Sequence, residues 1–468
     1  MKVALFAASF TALGILYGCT KKIHSDTALQ PITGKKQQLQ VLATPPATWQ
    51  EHWFEHNQLL NRVFYDTSVA VYYDNDVNSS ISWPFTYLGQ VWNYTKSRYG
   101  AFGDDSRMFA IFHSGKYSGG HPSTYMDASH DYRNVIDVGS ADPNAWTSGT
   151  GNDIDLTTHE VGHIVEGASK GVHNSPAFGI WHDSKWMEIY QYDVYLALGR
   201  SSDVSRWYNM KITQTDSYPR AGTYWFRDWF YPIYSNYGGG ATLNRFFELL
   251  AQYFPKQTFN NGITTYPEYS RGMNFGEFVH YWSGAANNDL KQLALNAFGN
   301  KDEQGSDWTA QLKQARTDFP GITYNSNDIT AQGTITVSKE NGGGASATEG
   351  SLKLTDDVYS TKLFVSIVPA DFRMQLQFPS AQTVKSYSFT SGNDAPDRDP
   401  KNWQLKGSND GNTWVVLDTQ ANQVFSGRNQ TREFAISNST GYKYYAVYVT
   451  ATNGSVDFQL SEWRVRNN

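Results

Sequence analysis

His159, Glu160 and His163 form the pattern HExxH inside the run LTTHEVGHIVEG. On a helix, residues four apart share a face, with Cβ atoms about 5–6 Å apart. Two imidazoles so placed can share one zinc ion, each nitrogen about 2.0–2.1 Å from it. Glu160 lies one residue on and projects beside the metal rather than onto it. A carboxylate in that position can act as general base, taking a proton from a water on the metal. The alternative is an ordinary helix with two solvated histidines, and the scarcity of histidine, 11 in 468 residues, makes that coincidence uncommon.

A catalytic zinc needs a third protein ligand and an open fourth position. The residue six after His163 is Ser169, which excludes a third histidine there. His173 and His182 stand in loop-like sequence (GVHNSPAFGIWHDS), and Asp183 reads as a helix cap. Glu188 is the stronger candidate. DSKWMEIYQYDVYLALG predicts a helix from Asp183 or Ser184 to a stop at Gly199, with Glu188, Tyr192 and Tyr195 on one face. A carboxylate beside Trp186 and a run of apolar residues is costly to bury without a cation, which zinc would supply. Asp193 points elsewhere and suits the orienting of a histidine. Tyr192 and Tyr195 by face, and His280 (EFVHYW) by type, are candidate donors to an oxyanion. Glu166 reads as structural or substrate-facing.

These residues need a frame. Asp153 or Asp155 can cap the metal helix and Gly167 can stop it. Before it, Ser68 to Tyr73, Met108 to Phe112 and Asn134 to Val138 read as strands. After it, Leu243, Phe246, Phe247, Leu250 and Phe254 recur at helical spacing, as do Phe275, Phe278, Val279 and Trp282. A mixed sheet lobe plus a helical lobe, with the metal helix at their junction, predicts an α+β catalytic domain over residues 49–325. From 326 to 468 short strands alternate with turns, which predicts a β-sandwich. A chain of this length exceeds one core, so the protein is multidomain. The net charge of -6 argues against nucleic acid as a partner.

Residues 1–19 comprise a short basic start, an apolar run and Leu16-Tyr17-Gly18-Cys19. They resemble a bacterial lipoprotein signal, which implies lipidation at Cys19 and an extracytoplasmic, outer-membrane or cell-surface location. The apolar run is too short to span a bilayer. Cys19 is the single cysteine, so no internal disulfide forms and no thiolate is available to zinc. Residues 20–48 are polar, with Pro45 and Pro46, and read as a flexible tether.

HExxH followed by a glutamate on a second helix resembles the gluzincin metallopeptidases. With 24 residues between His163 and Glu188, the spacing is similar to that of enhancin-like, mucin-directed peptidases. HEVGH…WMEIYQYDVY also resembles the basic secretory protein family, over roughly residues 100–200. The resemblance implies a zincin-like fold, zinc on His159, His163 and Glu188, and Glu160 as base in peptide hydrolysis. Near the C-terminus, DPKNWQLKGSNDGNTWVVLD, YKYYAVYVT and QLSEWRV resemble the coagulation factor 5/8 type C, or discoidin-like, family. That implies a jelly-roll sandwich of the kind used as a carbohydrate-binding module, with a structural calcium. The matching ligands are Asp356 and Thr361 in LTDDVYSTKL and Glu462 from the late motif, while Val358 replaces a family-typical asparagine. The reading is a lipid-anchored surface metallopeptidase acting on protein or glycoprotein substrates, mucin-like ones among them, with a glycan ligand for the sandwich. The alternative is a non-catalytic surface glycan-binding lipoprotein whose zincin-like body is a spacer.

Overall fold

Runs such as VAVYY and MFAIFHS are buried along their whole length, as strands covered on both faces must be. They form the centre of a six-stranded sheet of order β1-β2-β3-β4-β6-β5. Its strands are β1 (Thr48–Gln50), β2 (Leu59–Tyr65), β3 (Val69–Tyr73), β4 (Met108–Ser114), β5 (Lys116–Ser123) and β6 (Asn134–Ser140). The computed structural model describes residues 43–467. Strands β3, β4 and β6 are parallel, and β5 returns antiparallel to β6 at the edge. Helix α1 (Trp83–Tyr99) crosses from β3 to β4, and α2 (Asn152–Ala168) follows β6. Both pack on one face of the sheet, through Val71, Ala110, Ile136, Leu88 and Val161. On the opposite face Trp49 and Trp53 cover Tyr72, Phe109, Ile111 and Val135 in a smaller core.

Beyond α2 the chain is mostly helical: α3 (Phe178–Trp181), α4 (Lys185–Ala197), α5 (Ser201–Lys211), α6 (Tyr231–Asn236), α7 (Gly240–Tyr253), α8 (Phe275–Ala286), α9 (Lys291–Phe298) and α10 (Trp308–Asp318). A hairpin of β7 (Lys256–Asn260) and β8 (Thr265–Tyr269) interrupts the series. The apolar spacing read from sequence lies on the buried side of α7, through Leu243, Phe246, Phe247 and Leu250. Every residue of α8 is buried, and a capping box of Asn274 and Glu277 starts it.

The C-terminal part is a β-sandwich. One sheet has the order β14-β13-β16-β11-β9 and another β15-β12-β18, with a two-stranded β10-β17 pair beside them. The strands are β9 (Thr334–Val337), β10 (Leu363–Val365), β11 (Arg373–Gln382), β12 (Ser386–Thr390), β13 (Pro400–Ser408), β14 (Val415–Gln420), β15 (Thr431–Ala435), β16 (Tyr442–Thr452), β17 (Phe458–Leu460) and β18 (Glu462–Arg466). Its core gathers Trp403, Trp463, Tyr387, Phe389 and Phe434. The main core of the preceding part ends at Ile322, and that of the sandwich begins at Ile329. Asp357 joins the two: Lys291 and Arg316 reach it from the helices, and Arg464 from β18 at 2.9 Å.

Cys19 and the lipoprotein signal lie outside the described residues. The end of the expected tether belongs to the fold: Pro46 accepts a hydrogen bond from the Tyr72 hydroxyl at 2.8 Å, and Thr48 opens β1. Among the described residues, no helix is long and apolar enough to cross a membrane.

Candidate metal centre

Helix α2 carries His159, Glu160 and His163. Gly151, at φ 55°, opens it, a left-handed conformation that glycine adopts without strain. The two aspartates expected to cap it act otherwise. Asp153 accepts the backbone N–H groups of Ser148 and Gly149 and braces the preceding loop. Asp155 receives Arg206 through two bonds of 2.7 Å. The helix runs through Gly167 to Ala168. Gly162 leaves room for α4, since a Cβ there would stand 2.4 Å from the Met187 sulfur.

The Nε2 atoms of His159 and His163 lie 3.1 Å apart. Nδ1 of His163 is 3.0 Å from Glu166 Oε2, and the Trp181 indole donates to the other Glu166 oxygen. A carboxylate on the far nitrogen fixes the ring and raises its strength as a ligand. Glu166, read from sequence as structural or substrate-facing, thus orients a histidine.

The structure brings Asp183, not Glu188, to the histidine pair. Asp183 Oδ1 is 3.2 Å from His163 Nε2, and Oδ2 is 3.7 Å from His159 Nε2. These three side chains form one group with ligand atoms within 4.8 Å of one another, and Glu188 is outside it. The cation that a buried Glu188 requires is Lys211 on α5, whose Nζ is 3.1 Å from Glu188 Oε1. Burial pushes the Glu188 carboxyl up, and Lys211 draws it back. Asp183 sits in the turn between α3 and α4, where sequence reading saw only a cap.

Glu160 is buried under the edge strand. A Cβ on Gly120 would come within 2.6 Å of Glu160 Oε1, so the strand lies against the carboxylate only because residue 120 has no side chain. Burial raises the Glu160 carboxyl to about 7, against the pull of nearby His163. Two openings adjoin the pair. One is lined by Gly119, Gly120, Asn152, His159, Glu160 and Asp183. The other is lined by Pro122, His163, Glu166, Asn174 and Arg271.

The three oxyanion candidates do not converge there. Tyr192 packs edge-on against Phe226, Tyr231 and Tyr234. The Tyr195 hydroxyl donates to Asp155 at 2.6 Å. His280 lies in the helical core, with Nδ1 3.1 Å from the Tyr324 hydroxyl and Nε2 3.3 Å from the Phe319 carbonyl. Asp193 does not orient a histidine either; it accepts from the hydroxyls of Tyr94 and Tyr234, each at 2.7 Å.

In the sandwich, Asp356, Thr361 and Glu462 are brought together. The Val358 N–H donates to Asp356 Oδ1 at 3.1 Å and to Glu462 Oε1 at 3.0 Å, and Thr361 Oγ1 donates to Asp356 at 3.0 Å. Lys353 and Arg464 stand near the remaining oxygens. The carboxylates of the expected calcium site thus already meet N–H, hydroxyl and cationic donors.

No family model matches the chain. A peptide-N(4)-(N-acetyl-beta-glucosaminyl)asparagine amidase of Arabidopsis thaliana is 55% identical over 53 residues, which are 11% of this chain and 7% of the amidase. In structure, part of the chain aligns with solved domains, carbohydrate-binding modules among them. A family 32 module from Clostridium perfringens in complex with GalNAc-beta-1,3-galactose aligns at 11% identity and TM-score 0.27, over 30% of this chain and 99% of that one. The C-terminal domain of a chitobiase from Bacteroides fragilis aligns at 13% identity and TM-score 0.26, over 30% of this chain and 97% of that one.

Proposed function

We propose that the chain is a zinc metallopeptidase cleaving glycosylated, mucin-like proteins at the cell surface, anchored through a lipid on Cys19, with the sandwich holding a glycan of the substrate. The observation that carries this is the convergence of His159 Nε2 and His163 Nε2, with Asp183 beside both and Glu160 adjacent. Two imidazoles and a carboxylate form a donor set of the kind catalytic zinc takes. When bound, zinc supplies Lewis acidity and eases deprotonation of water. Glu160 holds the proton in transit and passes it to the departing amine. Edge strand β5 offers unpaired backbone groups to an extended peptide laid beside it. Glu166 keeps His163 in register during turnover.

The test is digestion of a mucin-type glycoprotein and its deglycosylated form by the full chain and by Glu160→Gln, with metal content measured alongside. Retained zinc with cleavage reduced at least about a hundredfold in Glu160→Gln supports the reading. Cleavage that is faster on the glycosylated form assigns the sandwich its part. Metal-free protein that binds glycan and cleaves nothing would favour the non-catalytic alternative.

A further inference from the structure

On the sheet face away from α2, β4 and β6 place His113 and Asp137 among apolar neighbours, and the segment after β1 lays Glu51 and His56 over them. All four are buried. His113 Nε2 is 2.9 Å from Glu51 Oε1 and 3.1 Å from Asp137 Oδ1. These three atoms converge, yet none of them makes a hydrogen bond. Most buried polar atoms of a native interior are paired, and three unpaired ones facing each other call for something between them. The fourth donor is at hand: His56 Nδ1 lies 3.0 Å from Asp137 Oδ2 and 3.6 Å from Glu51 Oε1.

The atoms turned away from this point are all satisfied. His113 Nδ1 is held by Asp74 Oδ2 at 2.9 Å, a carboxylate–imidazole pairing that aims Nε2 at the convergence point. Glu51 Oε2 accepts the Gln58 N–H at 2.8 Å, and Asp137 Oδ2 accepts the Trp53 indole at 2.9 Å. Charge points the same way. Glu51, Asp74 and Asp137 carry three negative charges, and Lys116, 3.2 Å from Asp74, carries one positive. Lys116 also pairs with Asp76, so carboxylates outnumber cationic side chains here, and a dication would offset the excess. His121 also approaches Asp137, but through Oδ2 at 3.3 Å, whose bonds are already made, and His130 Nε2 lies 3.3 Å from His121 Nε2.

We propose that Glu51, His56, His113 and Asp137 hold a structural divalent transition metal of the zinc class, fastening the N-terminal segment to the back of the sheet. Two imidazoles and two carboxylates suit tetrahedral zinc, and burial of all four leaves no open position for substrate. The assignment is independent of the HExxH centre. A structural ion of this type adds its binding free energy to folding.

The test uses the full chain without a histidine tag, in wild-type form and as His159→Ala/His163→Ala, which keeps this cluster intact. Each is loaded with zinc, dialysed free of excess and analysed for metal. The double variant is expected to retain one zinc per chain, to melt lower after treatment with a chelator, and to show tetrahedral d–d absorption when cobalt replaces zinc. Adding His113→Gln and Asp137→Asn should remove that metal. A folded double variant that holds no zinc, and whose melting temperature a chelator leaves unchanged, overturns the proposal.

Discussion

Two acids compete for one role at the histidine pair, and single substitutions separate them. Asp183→Asn should weaken zinc binding measurably, read by competition with a chromophoric chelator. Glu188→Gln should leave zinc in place and lower the melting temperature, because Lys211 keeps its charge in a buried position without a partner. The reverse pattern would restore Glu188 as ligand. His280 gives a second test at this scale. Burial is the main force holding its pKa down, to about 4 against 6.5 in the unfolded chain. The unfolded state therefore takes the proton first as pH falls. Stability is complete above about 6.5 and drains away toward 4, by about 3 kcal/mol in all. The Tyr324 hydroxyl, which accepts from Arg316, donates to His280 Nδ1 and loses that acceptor on protonation. Denaturation at several pH values should show a shallower acid slope in His280→Gln than in wild type.

At the scale of elements, the contact between β5 and α2 is the one the proposed catalysis would depend on. Gly120→Ala should push the Glu160 carboxylate aside while the fold persists, because the atoms met are the end of a flexible side chain. A loss of kcat of tenfold or more with melting nearly unchanged is expected, since small misplacements are costly in rate. What could be read in advance follows the range of the signal. HExxH, the helix holding Glu188 and the apolar stripe of α7 are set by neighbours within a few turns, and periodicity exposes them. Asp183 reaches the histidines because the chain turns back between α3 and α4, which residue spacing does not encode. Glu51 and His56 from the connection after β1, His113 from β4 and Asp137 from β6 come from three separate segments and meet only across the sheet. One trace was visible: a histidine and an aspartate inside strands otherwise apolar, MFAIFHS and NVIDVGS, each needing a buried partner.

Across the whole molecule, Asp357 couples the helical part to the sandwich. It is fully buried, which alone would favour the neutral acid. Arg464, Lys291 and Arg316 outweigh that and hold its carboxyl far below the usual range. Asp357→Asn would leave Lys291 without its carboxylate, while Arg316 keeps Asp289 and Arg464 keeps Asp328, a loss of about 3 kcal/mol. Calorimetry should then resolve two transitions, with the sandwich separating from the remainder. The openings beside His159 and beside His163 bear on how a long chain would be handled. If the pair holds zinc in a peptidase as proposed, an opening beside each histidine would leave room for chain on either side of the cut, and cuts would fall in the interior of the strand. Digests would then yield broad fragments early, with no ladder of residues trimmed one at a time from a terminus.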